Sequence, residues 1–391
     1  MKKKQIALAA LSFVSAAVLA ACGSAPGSSS DAAGNKIGDT VKIGYNLELS
    51  GDVAAYGQAE KQGADLAVEE INKAGGVDGK KLEVVSKDNK SDNGEAATIS
   101  TNLATQSKVN AILGPATSGA TAAASPNAND AAVPLVTPSG TQDSLTYSKG
   151  KVQEFVFRTT FQDSFQGKII SKYATDTLKA KKVALYYDKS SDYAQGIADS
   201  FKKAYKGKIT VEDTFQAKDQ DFQAALTKFK SKDFDAIVIP GYYTETGLIT
   251  KQARDMGLNQ PILGPDGFND AKYVEGAGAA NTNNVYYVSG YSTKVDLTSK
   301  AEKFLKAYKA KYGEEPNMFA ALAYDSVYMI ADSAKDAKTS KDMAEKLAKL
   351  KNFEGVTGKM TIDKKHNPVK SAVMVGLKDG KESTAAAVEV K

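Results

Sequence analysis

Residues 109–121 read Val109-Asn110-Ala111-Ile112-Leu113-Gly114-Pro115-Ala116-Thr117-Ser118-Gly119-Ala120-Thr121. A short apolar run ends at Leu113, Gly-Pro interrupts it, and small hydroxyl residues open an Ala-rich helix over 119–131. Strand, turn, helix is the unit of a parallel sheet, whose strands are covered on both faces and so read as unbroken apolar runs. The unit repeats outward. Upstream lie a strand over 41–47, a helix over 56–74 with Ala59, Gly63, Leu66, Ala67 and Ile71 on one face, a strand over 82–86 and a helix over 94–106. Gly75-Gly76 stops the first helix and Asp78-Gly79 marks the turn after it. Downstream, 133–137 is the next strand. This β-α-β-α-β-α-β order predicts a parallel sheet with helices on both faces.

The pattern then restarts. Strands are expected over 155–158, 183–187, 209–215, 236–239 and 261–263, alternating with helices over 164–178, 193–205, 222–229 and 245–256. The last third is helical over 299–312, 318–335 and 341–350 and closes on strand-like runs at 358–363 and 372–377. The fold class is α/β, with two doubly wound parallel-sheet lobes joined by a multi-crossover hinge. The late elements must return to complete the lobes, which gives lobe 1 as residues 40–160 plus 291–353 and lobe 2 as 161–290 plus 354–391. Several crossings suit closure around a ligand.

Composition narrows the chemistry. A chain of 391 residues suits two domains rather than one core. One Cys rules out an intrachain disulfide framework, and one His rules out two-His metal sites. A Ser-His or Cys-His pair would need His366, in the polar turn 364–367, so most hydrolase mechanisms fall away. Neither metal nor cofactor is expected. Of the 51 basic residues only Arg158 and Arg254 are Arg, and 46 acids are interspersed, which speaks for a solvated surface and against nucleic acid.

The N-terminus reads as a targeting segment. Met1-Lys2-Lys3-Lys4 precedes an apolar run from Ile6 to Ala21, too short for a transmembrane span. Residues 1–21 are expected to be a signal peptide. Leu19-Ala20-Ala21-Cys22-Gly23 resembles a bacterial lipobox, which implies cleavage before Cys22 and its lipidation. Cleavage would remove three Lys and no acid, so the formal charge of +5 falls to +2. The stretch GSAPGSSSDAAGNKIGD over 23–39 is expected to be a flexible tether holding a soluble body near the membrane.

Ligands of open α/β sheets sit beyond the C-terminal ends of the strands. Four loops there are unusual: 114–121, 137–141 (Thr137-Pro138-Ser139-Gly140-Thr141), 240–243 (Pro240-Gly241-Tyr242-Tyr243) and 264–267 (Gly264-Pro265-Asp266-Gly267). The first two offer hydroxyls and exposed N–H groups to an anion. Gly114-x4-Gly119 has the spacing of a phosphate loop, but Ala120 stands where that motif needs Lys, so a carboxylate fits better. Helix capping without a ligand explains the first pair equally well, and an Asx turn explains Asp266 alone. Together, one lobe suits an anion and the other a cation, and a free amino acid is both.

At these loops the sequence resembles the branched-chain amino-acid substrate-binding proteins of bacterial ABC transporters, of the periplasmic-binding-protein type 1 fold. The resemblance runs from Val41 to the C-terminus. It rests on Leu49-Ser50-Gly51 with Tyr56-Gly57, Ile71-Asn72 with Gly75-Gly76-Val77-Asp78-Gly79, Leu113-Gly114 with Ser118, Val136 to Thr141, Arg158-Thr159, Asp192 to Gly196, Gly241-Tyr242-Tyr243 and Gly264 to Gly267. It implies that Ser118 and Thr141, with N–H groups around Ser139 and Gly140, bind the ligand carboxylate. Asp266 would bind the ammonium group, at a position where the family often has Glu. Tyr193 and Tyr242 would pack on the ligand from lobe 2, and Tyr56, where some relatives have Trp, from lobe 1. The implied protein is a monomeric extracytoplasmic receptor, lipid-anchored at a Gram-positive cell surface. It would capture Leu, Ile or Val and deliver it to an ABC-transporter permease. The same fold binding an amide, urea or another amino acid, an anchored sensory module, and an anchored hydrolase are the alternatives.

Overall fold

The structure is a computed structural model that describes residues 33–295 and 298–388. The expected signal peptide, Cys22 and the tether as far as Ala32 lie outside the described residues. The first part of the chain runs β1 (Thr40–Leu47), α1 (Ala54–Lys73), β2 (Lys81–Asp88), α2 (Asn93–Thr105), β3 (Ala111–Leu113), α3 (Ser118–Asp130), β4 (Leu135–Thr137), a small hairpin β5 (Tyr147–Ser148) and β6 (Lys151–Val152), and β7 (Val156–Arg158). The second runs α4 (Asp163–Lys172), β8 (Lys182–Asp188), α5 (Asp192–Ala204), β9 (Lys208–Phe215), α6 (Gln223–Lys230), β10 (Ala236–Val238), α7 (Tyr243–Asp255), β11 (Ile262–Gly264), α8 (Ala271–Ala277) and β12 (Val285–Ser289). It ends with α9 (Ala301–Tyr312), α10 (Met318–Ala334), α11 (Ser340–Leu347), β13 (Phe353–Gly355), β14 (Gly358–Ile362), β15 (Pro368–Val369), β16 (Ala372–Lys378) and β17 (Lys381–Val388).

One sheet has the order β2-β1-β3-β4-β7 and is parallel throughout. In β1 both Val41, Ile43, Tyr45 and Leu47 on one face and Gly44 and Asn46 on the other are buried, as a sheet covered by helices on both sides requires. The other sheet has the order β17-β16-β12-β11-β10-β8-β9. Its strands from β8 to β12 are parallel, but β16 runs antiparallel to β12 and β17 antiparallel to β16. The sequence reading assigned no strand to β12 or β17. The first is an aromatic and β-branched run that was legible and passed over. β17 is Ala-rich and mostly exposed, and only its pairing with β16 makes it a strand.

The late helices return to the first sheet. A Cβ on Gly63 of α1 would stand 1.9 Å from the Ala320 carbonyl of α10, so these two helices touch backbone to backbone. Tyr308 and Tyr312 of α9 bond the Gln62 side chain and carbonyl of α1. The chain therefore crosses between the sheets three times: after Arg158, after β12, and through the small antiparallel sheet β13-β14-β15. Buried polar groups tie the crossings together. Asp325 of α10 accepts from Val356 N–H (2.7 Å), Thr357 N–H (2.9 Å) and Thr357 Oγ1 (2.6 Å). Lys370 Nζ donates to Thr159 O (3.1 Å) and Thr357 Oγ1 (2.7 Å), and burial pulls its ammonium down to about 8.

Two local expectations change. The tether was expected to run to Asp39, but the chain is docked from Asn35 onward. Asn35 Nδ2 donates to Ala104 O and Val109 O, both at 2.8 Å, its N–H donates to Ser340 Oγ at 2.7 Å, and Ile37 N–H donates to Lys338 O at 2.9 Å. Composition counts apolar residues; it does not register an amide that satisfies a free carbonyl at the end of α2 and another just before β3. His366 does lie in the expected turn, between β14 and β15, but its side chain is buried. Its ring stacks on Phe157 at 4.3 Å, and Nδ1 faces the Gln153 and Val156 carbonyls, which fixes the proton on Nδ1. Burial pushes its pKa down, so it is a packed neutral side chain near the hinge.

Candidate functional site

The loops after β3 and β4 meet those after β10 and β11 across the space between the sheets. Glu48, just past β1, shapes the first of them. Its carboxylate accepts from Ala116 N–H (2.9 Å), Thr117 N–H (3.0 Å) and Thr117 Oγ1 (2.9 Å), and Thr117 in turn caps α3. Ser118 Oγ accepts from the N–H groups of Thr141 and Gln142, both at 3.1 Å. A hydroxyl that accepts twice still has its own hydrogen to give. Buried Arg158 holds the second loop from behind by donating to Gly140 O (3.1 Å) and Gln142 O (2.8 Å).

In lobe 2, Tyr193 from the first turn of α5 stacks on Tyr242 with centroids 4.8 Å apart. Tyr193 OH (2.6 Å) and Gln166 Nε2 (3.0 Å) both donate to the same oxygen, Asp266 Oδ1. Asp266 is 3% exposed, and burial, against the lowering effect of these bonds, pushes its carboxyl up to about 6. The Pro265 and Gly267 neighbours serve geometry: a Cβ at 267 would stand 2.8 Å from Gly241 O and 3.0 Å from Tyr193 OH.

The lobes are joined over this space. Tyr56 OH donates to Gly267 O at 2.6 Å and accepts from Tyr243 N–H at 3.2 Å, while its ring stacks on Phe319 at 4.2 Å. At the rim, Asp52 O accepts from Tyr243 OH (3.2 Å) and Thr244 Oγ1 (3.0 Å), and the Asp52 carboxylate meets Lys218 Nζ at 3.1 Å. The space left between the lobes is small, about 10 Å³, room for a single water.

Seven of the eight residues named from sequence line this cavity: Tyr56, Ser118, Ser139, Thr141, Tyr193, Tyr242 and Asp266. Gly140 does not. Its N–H donates to Thr137 Oγ1 at 2.8 Å, so the amide expected to meet a ligand carboxylate is already taken by the strand end behind it. Cys22 lies outside the described residues. The sequence reading missed Phe319, Gln166 and Asp163. Asp163, in the first turn of α4, is buried with no hydrogen-bond partner on either carboxylate oxygen, and its N–H donates to Thr141 O at 2.9 Å. Burial, with the charges of Asp143 and Asp266 adding to it, holds its pKa well above the usual carboxylate range. Thr141 Oγ1, likewise buried without a well-formed hydrogen bond, faces the Asp163 carboxyl and offsets part of that rise. A polar residue at a helix start is ordinary, and no local signal marks these three.

A larger open cleft, about 740 Å³, lies beside the α1 face carrying Gln58 and Gln62. Of the acids lining it, Asp270 accepts from Asn317 Nδ2 at 3.0 Å, Glu382 from Ser292 Oγ at 2.7 Å, and Glu315 meets Lys309 at 3.4 Å. It lacks the convergence of the small cavity. Among the described residues no group of His, Cys, Asp or Glu side chains is placed to hold a metal ion, and no helix is long and apolar enough to cross a membrane.

Two sheet lobes closing on a small cavity, with hydroxyls on one wall and a buried acid on the other, define a two-lobed solute-binding module. Known proteins agree. The family model described as periplasmic binding protein matches residues 40–382. The leucine-, isoleucine-, valine-, threonine- and alanine-binding protein of Pseudomonas aeruginosa is 31% identical over 331 residues, 84% of this chain and 87% of that one. The branched-chain amino acid transporter substrate binding protein LivJ from Streptococcus pneumoniae, solved in complex with isoleucine, is 59% identical, with a TM-score of 0.87 over 89% of this chain and 99% of that one. The leucine binding protein LivK from Thermotoga maritima is 32% identical, with a TM-score of 0.83 over 89% and 99% of the two chains. The chain belongs to the periplasmic binding protein family, as its sequence resemblance implied, and has that family's type 1 fold. The family is extracytoplasmic, and its members are binding proteins of transporters rather than enzymes.

Proposed function

We propose that this protein captures leucine, isoleucine or valine between its lobes and delivers it to an ABC-transporter permease. The observation that carries the reading is the convergence on one small cavity between the lobes of donors from lobe 1 and an acid from lobe 2. The Ser118 hydroxyl, with Thr141, takes the carboxylate. Asp266 takes the ammonium group on the oxygen that Tyr193 and Gln166 leave free, and Asp163 stands behind Thr141. Tyr56, Tyr193, Tyr242 and Phe319 surround the aliphatic side chain. The Asp266 carboxyl is one methylene shorter than Glu, and its Tyr193 and Gln166 bonds hold it at the cavity wall. The names of the relatives from Pseudomonas, Streptococcus and Thermotoga support this ligand class.

The lobes that move are read as residues 40–160 with 291–353 and 161–290 with 354–391. Cys22 anchors the protein by lipid after removal of residues 1–21, with the stem docking at Asn35. A thermal-shift panel of the twenty amino acids, with urea and simple amides, tests the reading, because a ligand of the native state must raise its melting temperature. Leucine, isoleucine and valine should give the largest shifts. Threonine and alanine, in the name of the Pseudomonas relative, set the breadth of the site. No shift with any amino acid overturns the proposal.

A further inference from the structure

Glu60, on α1 one turn beyond Tyr56, is fully buried and has no part in the binding scheme above. We propose that Glu60 stands in the fold as a neutral carboxylic acid that donates its proton to the Ser139 hydroxyl, turning a Ser139 lone pair toward the cavity as an acceptor for the ligand's ammonium group. The ligand half of this inference rests on the function proposed above; the protonation half does not.

Hydrogen counting makes the argument. Ser139 Oγ lies 2.5 Å from Glu60 Oε1 and 2.9 Å from Ala116 O. A serine hydroxyl has one hydrogen and two lone pairs, and a peptide carbonyl only accepts. Both contacts are full two-centre hydrogen bonds only if Ser139 donates to Ala116 and Glu60 carries the proton between itself and Ser139. The other carboxyl oxygen, Oε2, is buried without a partner. As the carbonyl of an acid it lacks one weak bond; as half of an anion it would be an unsolvated charge, which is far more costly. Its acidic neighbour is Glu48, just past β1, whose carboxyl accepts from Ala116 and Thr117 although burial raises its pKa as well. Burial first, and the Glu48 charge second, drive the Glu60 pKa well above its ordinary value.

The consequence concerns Ser139. With its hydrogen committed to Ala116, it has none to give a carboxylate. Its remaining lone pair lines the cavity, where an ammonium group is the complementary partner. Were Glu60 ionised, Ser139 would donate to it, Ala116 O would lose its donor, and the loop 139–141 would lose a restraint. Glu60 is thus a positioning residue for the head group, acting through Ser139.

The test compares wild type, E60Q and E60A by calorimetry with leucine and by infrared difference spectroscopy. Gln is neutral and donates through Nε2, so E60Q should bind within about threefold of wild type. E60A should lose on the order of tenfold, the value of one buried hydrogen bond. The wild-type minus E60Q spectrum at neutral pH should show the carbonyl stretch of a protonated carboxyl, a band that a merely structural Glu would not give. Absence of that band, or E60Q binding as weakly as E60A, overturns the inference. If E60A does not fold, E60Q decides alone by its affinity and its spectrum. The two readings fail separately: wild type binding no amino acid overturns the proposed function, whereas a missing band overturns Glu60 protonation whatever binds.

Discussion

Replacing Asp266 by Asn separates charge from shape at the acidic wall. Asn keeps an Oδ1 that accepts from Tyr193 OH and Gln166 Nε2, now 2.6 and 3.0 Å away, so the wall stays in place while the charge is lost. With protein groups alone around it, burial holds the Asp266 pKa at about 6 against an ordinary 3.8. An ammonium group binds the ionised form, so ligand draws the pKa down and affinity follows the ionised fraction. That fraction is about nine-tenths at pH 7 and about one-tenth at pH 5. Wild type should therefore lose on the order of tenfold in affinity for leucine between pH 7 and pH 5, about 1.4 kcal/mol. D266N should show no such titration and should bind about 1.5–3 kcal/mol more weakly at pH 7, the value of a hydrogen bond to a charged group. Stability moves the other way. A carboxyl whose folded pKa is raised contributes most below its unfolded pKa, and that contribution declines as pH rises through the folded value. A shift from 3.8 to about 6 corresponds to about 3 kcal/mol lost above pH 6. D266N should then be the more stable protein at pH 8, by up to about 3 kcal/mol, with the gap closing below about pH 4. Calorimetric titration at pH 5, 7 and 8 and urea unfolding at pH 4 and 8 read both halves. A flat wild-type binding profile, or D266N with wild-type affinity, refutes the reasoning.

Three further outcomes are expected. S118A removes the hydroxyl donor and unpartners the buried N–H groups of Thr141 and Gln142, so leucine affinity should fall by about 1–3 kcal/mol in calorimetry. Y56F keeps the stack on Phe319 but loses the bond to Gly267 across the lobes. Affinity should drop by about 1 kcal/mol, and small-angle scattering with saturating leucine should give a larger mean radius than wild type. C22A should move the protein from the membrane fraction to the medium without changing its leucine affinity, since the cavity is built from residues 56 onward.

How much of this was legible in the sequence follows from what each residue answers to. The strands of the parallel core were legible because burial on both faces leaves runs such as 109–113 and 183–187 without polar interruption. Asp266 was legible only in conjunction: alone it reads as an Asx turn, and the hydroxyl-rich loops of the other lobe, with the family resemblance, made it a candidate. Ser118 and Thr141 were legible as a pair of hydroxyl-rich loops. Phe319 was not: on α10 it looks like any buried aromatic, and only the close crossing of α10 over α1 at Gly63 carries it to the cavity. Gln166 and Asp163 begin an ordinary amphipathic helix, and their roles come from the first crossover. Gly140 failed in the opposite sense. Its composition suggested a free amide, but a Thr three residues back had a closer claim on it. Glu60 reads as the polar edge of α1, and only side-chain geometry shows that it faces inward.

The same residues bear on why capture and closure go together in the proposed function. Among the contacts that join the lobes over the cavity are a phenol on a carbonyl at Tyr56, two hydroxyls on Asp52 O, and the exposed ion pair of Asp52 with Lys218, which contributes little in water. Against them stands the burial of Asp266 and Asp163, which raises both pKa values and so opposes closure at neutral pH. A ligand that docks on the hydroxyls of lobe 1 leaves this balance unchanged. One that also carries an ammonium group to Asp266 converts the main opposing term into a favourable one, and only such a ligand distinguishes the closed state from the open one. Selection for a free α-amino group then operates through the closing equilibrium as well as through contact. An analogue lacking that group is expected to bind weakly to lobe 1 and to leave the lobes apart, because differential affinity for the closed state is the only means by which a ligand shifts it.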